Sequence, residues 1–340
     1  MARRERDRRR RRSAPALTVR TALPCLLWAA YAQAQSPRLI AISNEMSRTV
    51  MLLDAHNGAV VATIPVRERP RGIHVSADSK RIYVALSDDF PNRASGRDAI
   101  GVIDVATRRL TRRLPGGTDP EQFDITRDER VAYIANEDAG MAVALDLRTG
   151  RTLASLVVGI EPEGVAISPN GRWVYVTAET SNSISVIDTR KKEVVSNFLV
   201  DVRPRAVAWA PDGARAYVTN EISGTLSVID GRTHELISSV PIDGAQGKPV
   251  GVVVSPDGAR IFVANGRTGR ISILDAHTLH ETRRIEAGRR PWNIALTRDG
   301  RLLYSANGLS DDVSVIDVEA GRVVQTFKAG TRPWGVALIY

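Results

Sequence analysis

The chain has 340 residues, 43% of them hydrophobic and 5% aromatic, with a formal charge of +9 and a pI near 10.1. Residues 1–34 hold nine of the 47 basic residues and two of the 38 acidic ones, so the remaining chain carries a net +2. A nucleic-acid surface needs a basic stripe in the folded part, and none is evident there. The single cysteine, Cys25, falls in the same leading segment. Residues 35–340 therefore have no thiol, which excludes disulfides, thiolate metal sites and covalent c-type haem.

The leading segment has the three parts of a secretory signal. Arginines run to Arg20, an apolar stretch covers about Ala22 to Tyr31, and Ala32-Gln33-Ala34 ends it with small residues where cleavage is expected. The apolar stretch is too short for a stable membrane span. The expected division is a signal peptide over 1–34 and one folded domain over 35–340, delivered to the periplasm.

From Leu39 onward one phrase recurs. Residues 162–200 parse into four short strands, GVAIS, WVYVT, SISVID and EVVSNFL, with an S-P-N-G turn between the first two. The aspartate that ends the third strand recurs at Asp54, Asp104, Asp146, Asp188, Asp230, Asp275 and Asp317. The proline that opens the first strand recurs at Pro70, Pro120, Pro162, Pro204, Pro249, Pro291 and Pro333. Both series step by 42 residues apart from two longer intervals, which locate insertions around Asp88–Arg97 and Gly244–Lys248. Four-stranded units at this period stack face to face, and a closed ring protects their edges.

The expected fold is therefore an all-β, seven-bladed propeller of four-stranded antiparallel blades. RLIAIS reads as a second strand and the terminal GVALIY as a first strand. The C-terminal strand should pair into the N-terminal blade, a one-plus-three clasp.

The phrases YVTN, SVID and RPxG resemble those of the YVTN-type β-propeller repeat family, over essentially all of residues 39–340. More narrowly, DPEQF (119–123), YIANED (133–138), EPEGVAIS (161–168), LVDVRPR (199–205) and NEISGTLSVID (220–230) resemble the propellers associated with pyrroloquinoline-quinone-dependent alcohol catabolism. That resemblance implies a periplasmic protein working near a quinoprotein dehydrogenase or a c-type cytochrome. It transfers no catalytic residue.

The loop entering each first strand opens near the central channel. The residue after each proline is Arg71, Glu121, Glu163, Arg205, Val250, Trp292 or Trp334, and equal register places these in one ring. Framework positions repeat, whereas this one changes chemistry from blade to blade, as binding residues on a rigid scaffold do. The expected site is a mouth lined by Arg71, Glu121, Glu163, Arg205, Trp292 and Trp334. Glu137, Glu179, Glu221, Arg290 and Arg332 form a secondary set. The alternative for the same residues is a set of solvated loop charges and two packed rings; as loop residues, their exchange should cost little stability. The five histidines suggest no three-ligand metal set and read as surface loop residues. Trp173 and Trp209 read as packing between blades.

Neither a G-x-S-x-G elbow nor an H-E-x-x-H motif is present. The leading expectation is a monomeric, non-catalytic module for a small polar ligand or a protein partner, serving quinoprotein alcohol oxidation and holding no cofactor of its own. The rivals are a lactonase-like hydrolase and a propeller resembling the haem-d1-binding domain.

Overall fold

The computed structural model describes residues 36–89 and 96–340. The leader read over 1–34 lies outside the described residues, as does the centre of the longer insertion. Among the described residues no helix is long and apolar enough to cross a membrane.

Among the described residues, twenty-eight strands form seven four-stranded antiparallel sheets. Blade 1 covers residues 69–115, and blades 2 to 6 cover 120–157, 162–199, 204–241, 249–286 and 291–328. Blade 7 combines the strands at 39–65 with Pro333–Ile339, which pairs antiparallel with Leu39–Asn44 as its innermost strand. The ring is thus closed by the last strand, which covers the Leu39–Asn44 edge.

Local chemistry sets each blade. The middle strands of each blade, rich in β-branched residues, are buried on both faces between neighbouring blades, whereas the outermost strand is largely exposed. At one repeat position Tyr83, Tyr133, Tyr175, Tyr217, Phe262 and Tyr304 are all buried between blades. Each such ring is worth about 1.5–3 kcal/mol of burial. The S-P-D-G turns close through the aspartate: Asp257 accepts from Ser255 Oγ at 2.5 Å and from the Ala259 amide at 3.0 Å. Trp209 packs on Tyr175 of the preceding blade, 4.4 Å between ring centres, and its indole donates to the Ala166 carbonyl.

The histidines do not all sit on surface loops. His74 lies on the inner strand of blade 1, 4.0 Å from Asp124 of blade 2. His234 is half-buried and shares a 2.7 Å hydrogen bond with the Tyr175 hydroxyl. Both positions face a neighbouring blade, and ring closure covers side chains that a single repeat would leave outside.

Candidate functional site

Three positions per blade converge at one end of the ring: the residues before and after the proline, and the residue following the second strand. They are locked together by the backbone. The amide of Glu137 donates to Asp119 O, Glu179 to Glu161 O, Glu221 to Arg203 O, Gly266 to Lys248 O, Gly308 to Arg290 O and Glu45 to Arg332 O, at 2.8–3.1 Å. To offer that carbonyl, the residue before the proline adopts a left-handed conformation in six blades, with φ from 46° at Asp119 to 63° at Arg203. A residue preceding proline ordinarily prefers extended backbone, so the repeated exception belongs to the scaffold.

The three positions divide the mouth into sectors. Blade 2 presents Asp119, Glu121 and Glu137, and blade 3 presents Glu161, Glu163 and Glu179. Arginines flank this acidic sector: Arg69 and Arg71 on blade 1, Arg203 and Arg205 on blade 4. Blades 5 to 7 carry Lys248, Val250 and Gly266, then Arg290, Trp292 and Gly308, then Arg332, Trp334 and Glu45. Glycine replaces the acid at two of these blades, which leaves room beside the tryptophans.

Most of the ion pairs cross from blade to blade, while those of Arg203 and Arg205 with Glu221 stay within blade 4. Arg71 Nη1 lies 2.5 Å from Glu121 Oε2, and Arg71 Nε lies 3.3 Å from Glu45. Arg205 meets Glu163 at 3.3 Å and Glu221 at 3.8 Å, and also bonds Glu179. Arg203 bridges Glu179 at 2.8 Å and Glu221 at 3.2 Å, and Arg290 reaches Glu221 at 3.6 Å. Trp292 lies under two guanidinium groups, Arg290 at 4.3 Å and Arg205 at 5.1 Å, within cation–π range. Its ring centre is 6.2 Å from that of Trp334.

The residues predicted for the mouth are thus brought together, but they are not a solvated rim. Glu121 is 0% exposed, Trp334 4%, Glu163 5% and Arg205 7%. The expectation that exchanging them costs little stability is corrected by this burial. A single repeat shows these positions as loop tips; neighbouring blades cover them only when the ring closes.

Burial dominates the electrostatics. It pushes the Glu121 carboxyl well above the usual range against the pull of Arg71, and Glu163, Glu137 and Asp119 add to the rise. Glu137 is raised for the same first reason. Burial opposes the Arg71 cation, yet Glu121 and Glu45 more than offset it and its pKa is raised. Arg290 is lowered, by burial first and then by its neighbours Arg205, Arg332 and Arg203, against Glu221.

A cavity of about 280 Å³ opens at this mouth, lined by Glu45, Arg71, Glu137, Glu163, Arg203, Arg205, Trp292, Gly308, Arg332, Pro333 and Trp334. Its lining mixes carboxylates, arginines and the two tryptophans. The Trp334 indole N–H is buried and has no hydrogen-bond partner, a rare state for a buried donor. One oxygen from each of Asp119, Glu121 and Glu137 lies within 4.8 Å of the others, the spacing of a candidate cation site.

Sequence reasoning missed the residues that position the mouth. Ser43, Thr177 and Thr219 donate across the blade seams to the carbonyls of Arg71, Arg205 and Val250, at 2.6, 2.8 and 2.7 Å. The signal was present in the threonine of the Y-V-T phrase, which reads as an ordinary strand residue.

Fold and mouth together define a seven-bladed β-propeller with a polar, aromatic-walled site at one end of its channel. Residues 201–333 match the family model described as "Lactonase, 7-bladed beta-propeller", and residues 42–201 match the "Choice-of-anchor I domain" model. Among solved structures the chain is similar to one from Kuenenia stuttgartiensis hydrazine synthase, at 22% identity and TM-score 0.74, covering 83% of this chain and 94% of that one. A candidate 6-phosphogluconolactonase of Bacteroides uniformis matches at 19% identity and TM-score 0.74, covering 90% and 100%. A second candidate, from Bacteroides fragilis, matches at 18% and 0.73, covering 90% and 99%. At these identities the likeness is one of fold. No curated protein matches the chain in sequence.

Proposed function

We propose that the mouth binds a small lactone and opens it by hydrolysis. The observation that carries this reading is one cavity whose lining includes Glu163, Arg332 and Trp334, the last with a buried indole N–H that has no hydrogen-bond partner among the described residues. In this reading a water oxygen adds to the lactone carbonyl carbon while Glu163 accepts the water proton. Arg332 and the Trp334 N–H face the oxygen on which negative charge develops. The acyl–oxygen bond then breaks, Glu163 returns its proton to the ring oxygen, and the hydroxy-acid product leaves and ionises, releasing its carboxyl proton to solvent. The lactonase match over 201–333 and the two Bacteroides neighbours support this choice over an accessory role.

The test is acid release from a panel of five- and six-membered lactones, followed with purified protein under weak buffering. Saturable release above the spontaneous rate supports the reading. A panel bound or ignored without release overturns it.

A second reading keeps the propeller non-catalytic, docking to a periplasmic quinoprotein dehydrogenase or c-type cytochrome. Its support is the exposed apolar rim beside the mouth, where Ile160 is 61% exposed, Leu199 71% and Ile222 54%. Mutual saturation of Arg205 with Glu163, Glu179 and Glu221 also suits a rigid recognition face better than a reactive one. Either role is proposed for the periplasm, reached through the leader over 1–34. A coloured purified protein would favour the haem-d1-like carrier instead.

A further inference from the structure

Blades 2 and 3 each place acids at all three mouth positions, but their counter-charges differ. In blade 3, Arg203 and Arg205 hold Glu179, Arg205 also holds Glu163 at 3.3 Å, and Thr180 donates to Glu161. In blade 2, Arg71 takes Glu121 Oε2 at 2.5 Å and Arg69 takes Asp119 Oδ1 at 3.2 Å. Both arginines are shared with Glu45, at 3.3 and 3.6 Å. No ion pair reaches Glu137 among the described residues.

The second observation is Glu121 Oε1. It belongs to a side chain wholly shut off from solvent and has no hydrogen-bond partner. With Oε2 occupied by Arg71, Oε1 is the oxygen left to serve the Asp119–Glu137 side. Leaving a buried carboxylate oxygen unmatched is costly. In blade 3 the acid following the second strand, Glu179, is met by Arg203 and Arg205, whereas its equivalent in blade 2, Glu137, has no such arginine among the described residues.

We propose that Asp119, Glu121 and Glu137 bind a calcium-type divalent cation at the mouth. All three donors are carboxylate oxygens, which suit a hard cation. The donor oxygens lie within 4.8 Å of one another, inside the roughly 5 Å that calcium–oxygen distances of about 2.3–2.6 Å allow across the ion, and magnesium, which gives up its waters reluctantly, suits an all-protein carboxylate set less well. The donors are also held in place: Glu121 lies on an inner strand, and the Glu137 amide bonds the Asp119 carbonyl at 3.1 Å. Glu137 lines the cavity, so the remaining coordination positions face water or ligand there. The site stands independently of the lactone reading.

Terbium, which takes calcium sites, provides the probe, since Trp292 and Trp334 line the same cavity as Glu137 and can sensitise its emission. Full-length protein freed of metal by chelation is titrated with terbium under tryptophan excitation. The expected result is one saturable site, displaced by calcium and not by equal magnesium, and weakened roughly tenfold or more in Glu137→Gln and in Asp119→Asn, because affinity follows the charge count of the ligands. Glu161→Gln, the equivalent of Asp119 in blade 3, should bind as wild type does. Calcium should also raise the melting temperature of the wild type, a readout that does not depend on the variants folding. Absence of sensitised emission, or equal binding by Glu137→Gln and Glu161→Gln, overturns the site. So does emission that magnesium displaces as well as calcium.

Discussion

Arg71 of blade 1 places a guanidinium nitrogen 2.5 Å from Glu121 of blade 2, a carboxylate that solvent does not reach. The pair ties two blades at the channel mouth, and its two halves are not equivalent. Removing the arginine strands a buried carboxylate, whereas removing both leaves an apolar seam. Breaking a buried pair from one side costs about 3–5 kcal/mol, whereas apolar replacement of both partners is often neutral. Arg71→Ala should therefore melt well below wild type, and the Arg71→Met/Glu121→Leu double variant should recover most of the loss. Denaturant unfolding of the three proteins measures this directly; equal losses in the single and double variants would mean the pair carries no coupling.

Closure by Pro333–Ile339 makes a second prediction. Deleting residues 333–340 removes the whole inner strand of blade 7 and exposes the Leu39–Asn44 edge and the inner strand of blade 1. The truncated protein should be insoluble or lose its cooperative melt. A truncation that melts like the full chain would contradict the clasp.

The turn aspartates add an acid-sensitive contribution to the fold. Backbone N–H groups of Thr107, Thr149, Thr233 and Thr278 hold the carboxyls of Asp104, Asp146, Asp230 and Asp275 below their usual range. A depressed carboxyl stabilises the fold above its unfolded pKa, about 3.9. That contribution is lost as pH falls through the lower, folded value. Asp146→Asn should lower the melting temperature at neutral pH, and the gap from wild type should close below about pH 4. A gap that persists or widens in acid would show that the carboxylate form is not what the turn uses.

Seven blades were legible in the sequence because each copy repeats its own turn chemistry and its own alternation, so the counts of Asp188-type and Pro162-type markers agree. The mouth was legible because Arg71, Glu121, Glu163, Arg205, Trp292 and Trp334 break the repeat at one fixed register. The depth of those residues was not. Glu121 and Trp334 each stand at the opening of an inner strand, which a single repeat shows as a loop end, and neighbouring blades shut them off from water. The left-handed backbone at Asp119 and Arg332 was hidden for a related reason, since local rules disfavour it before proline and a backbone bond to the second strand supplies the compensation. The acid-rich blade 2 was read as part of a ring of charges because nothing local distinguishes Glu137, which lacks a cation, from Glu179, which has two.

Export is tested by mass. The proposed cleavage after Ala34 predicts a periplasmic protein beginning at Gln35. Retention of Cys25 in the intact mass would overturn it.

Trp334 separates ring packing from hydrogen bonding. Trp334→Phe keeps most of the buried ring and removes the N–H, so the melting temperature should change little. Loss of one hydrogen bond to developing charge is worth about 1.5–3 kcal/mol, so turnover of any lactone the protein opens should fall roughly ten- to a hundredfold. Unchanged turnover would move the oxyanion away from Trp334.

The most direct measurement compares Glu163→Gln with wild type for lactone opening and thermal melting in the same preparation. The variant keeps the size of the side chain and a hydrogen-bond acceptor for Arg205, so it should stay folded. Removal of a general base typically costs a factor of about 10²–10⁴. The account predicts a folded protein whose acid release falls at least a hundredfold. A folded variant that opens lactones at the wild-type rate would contradict it.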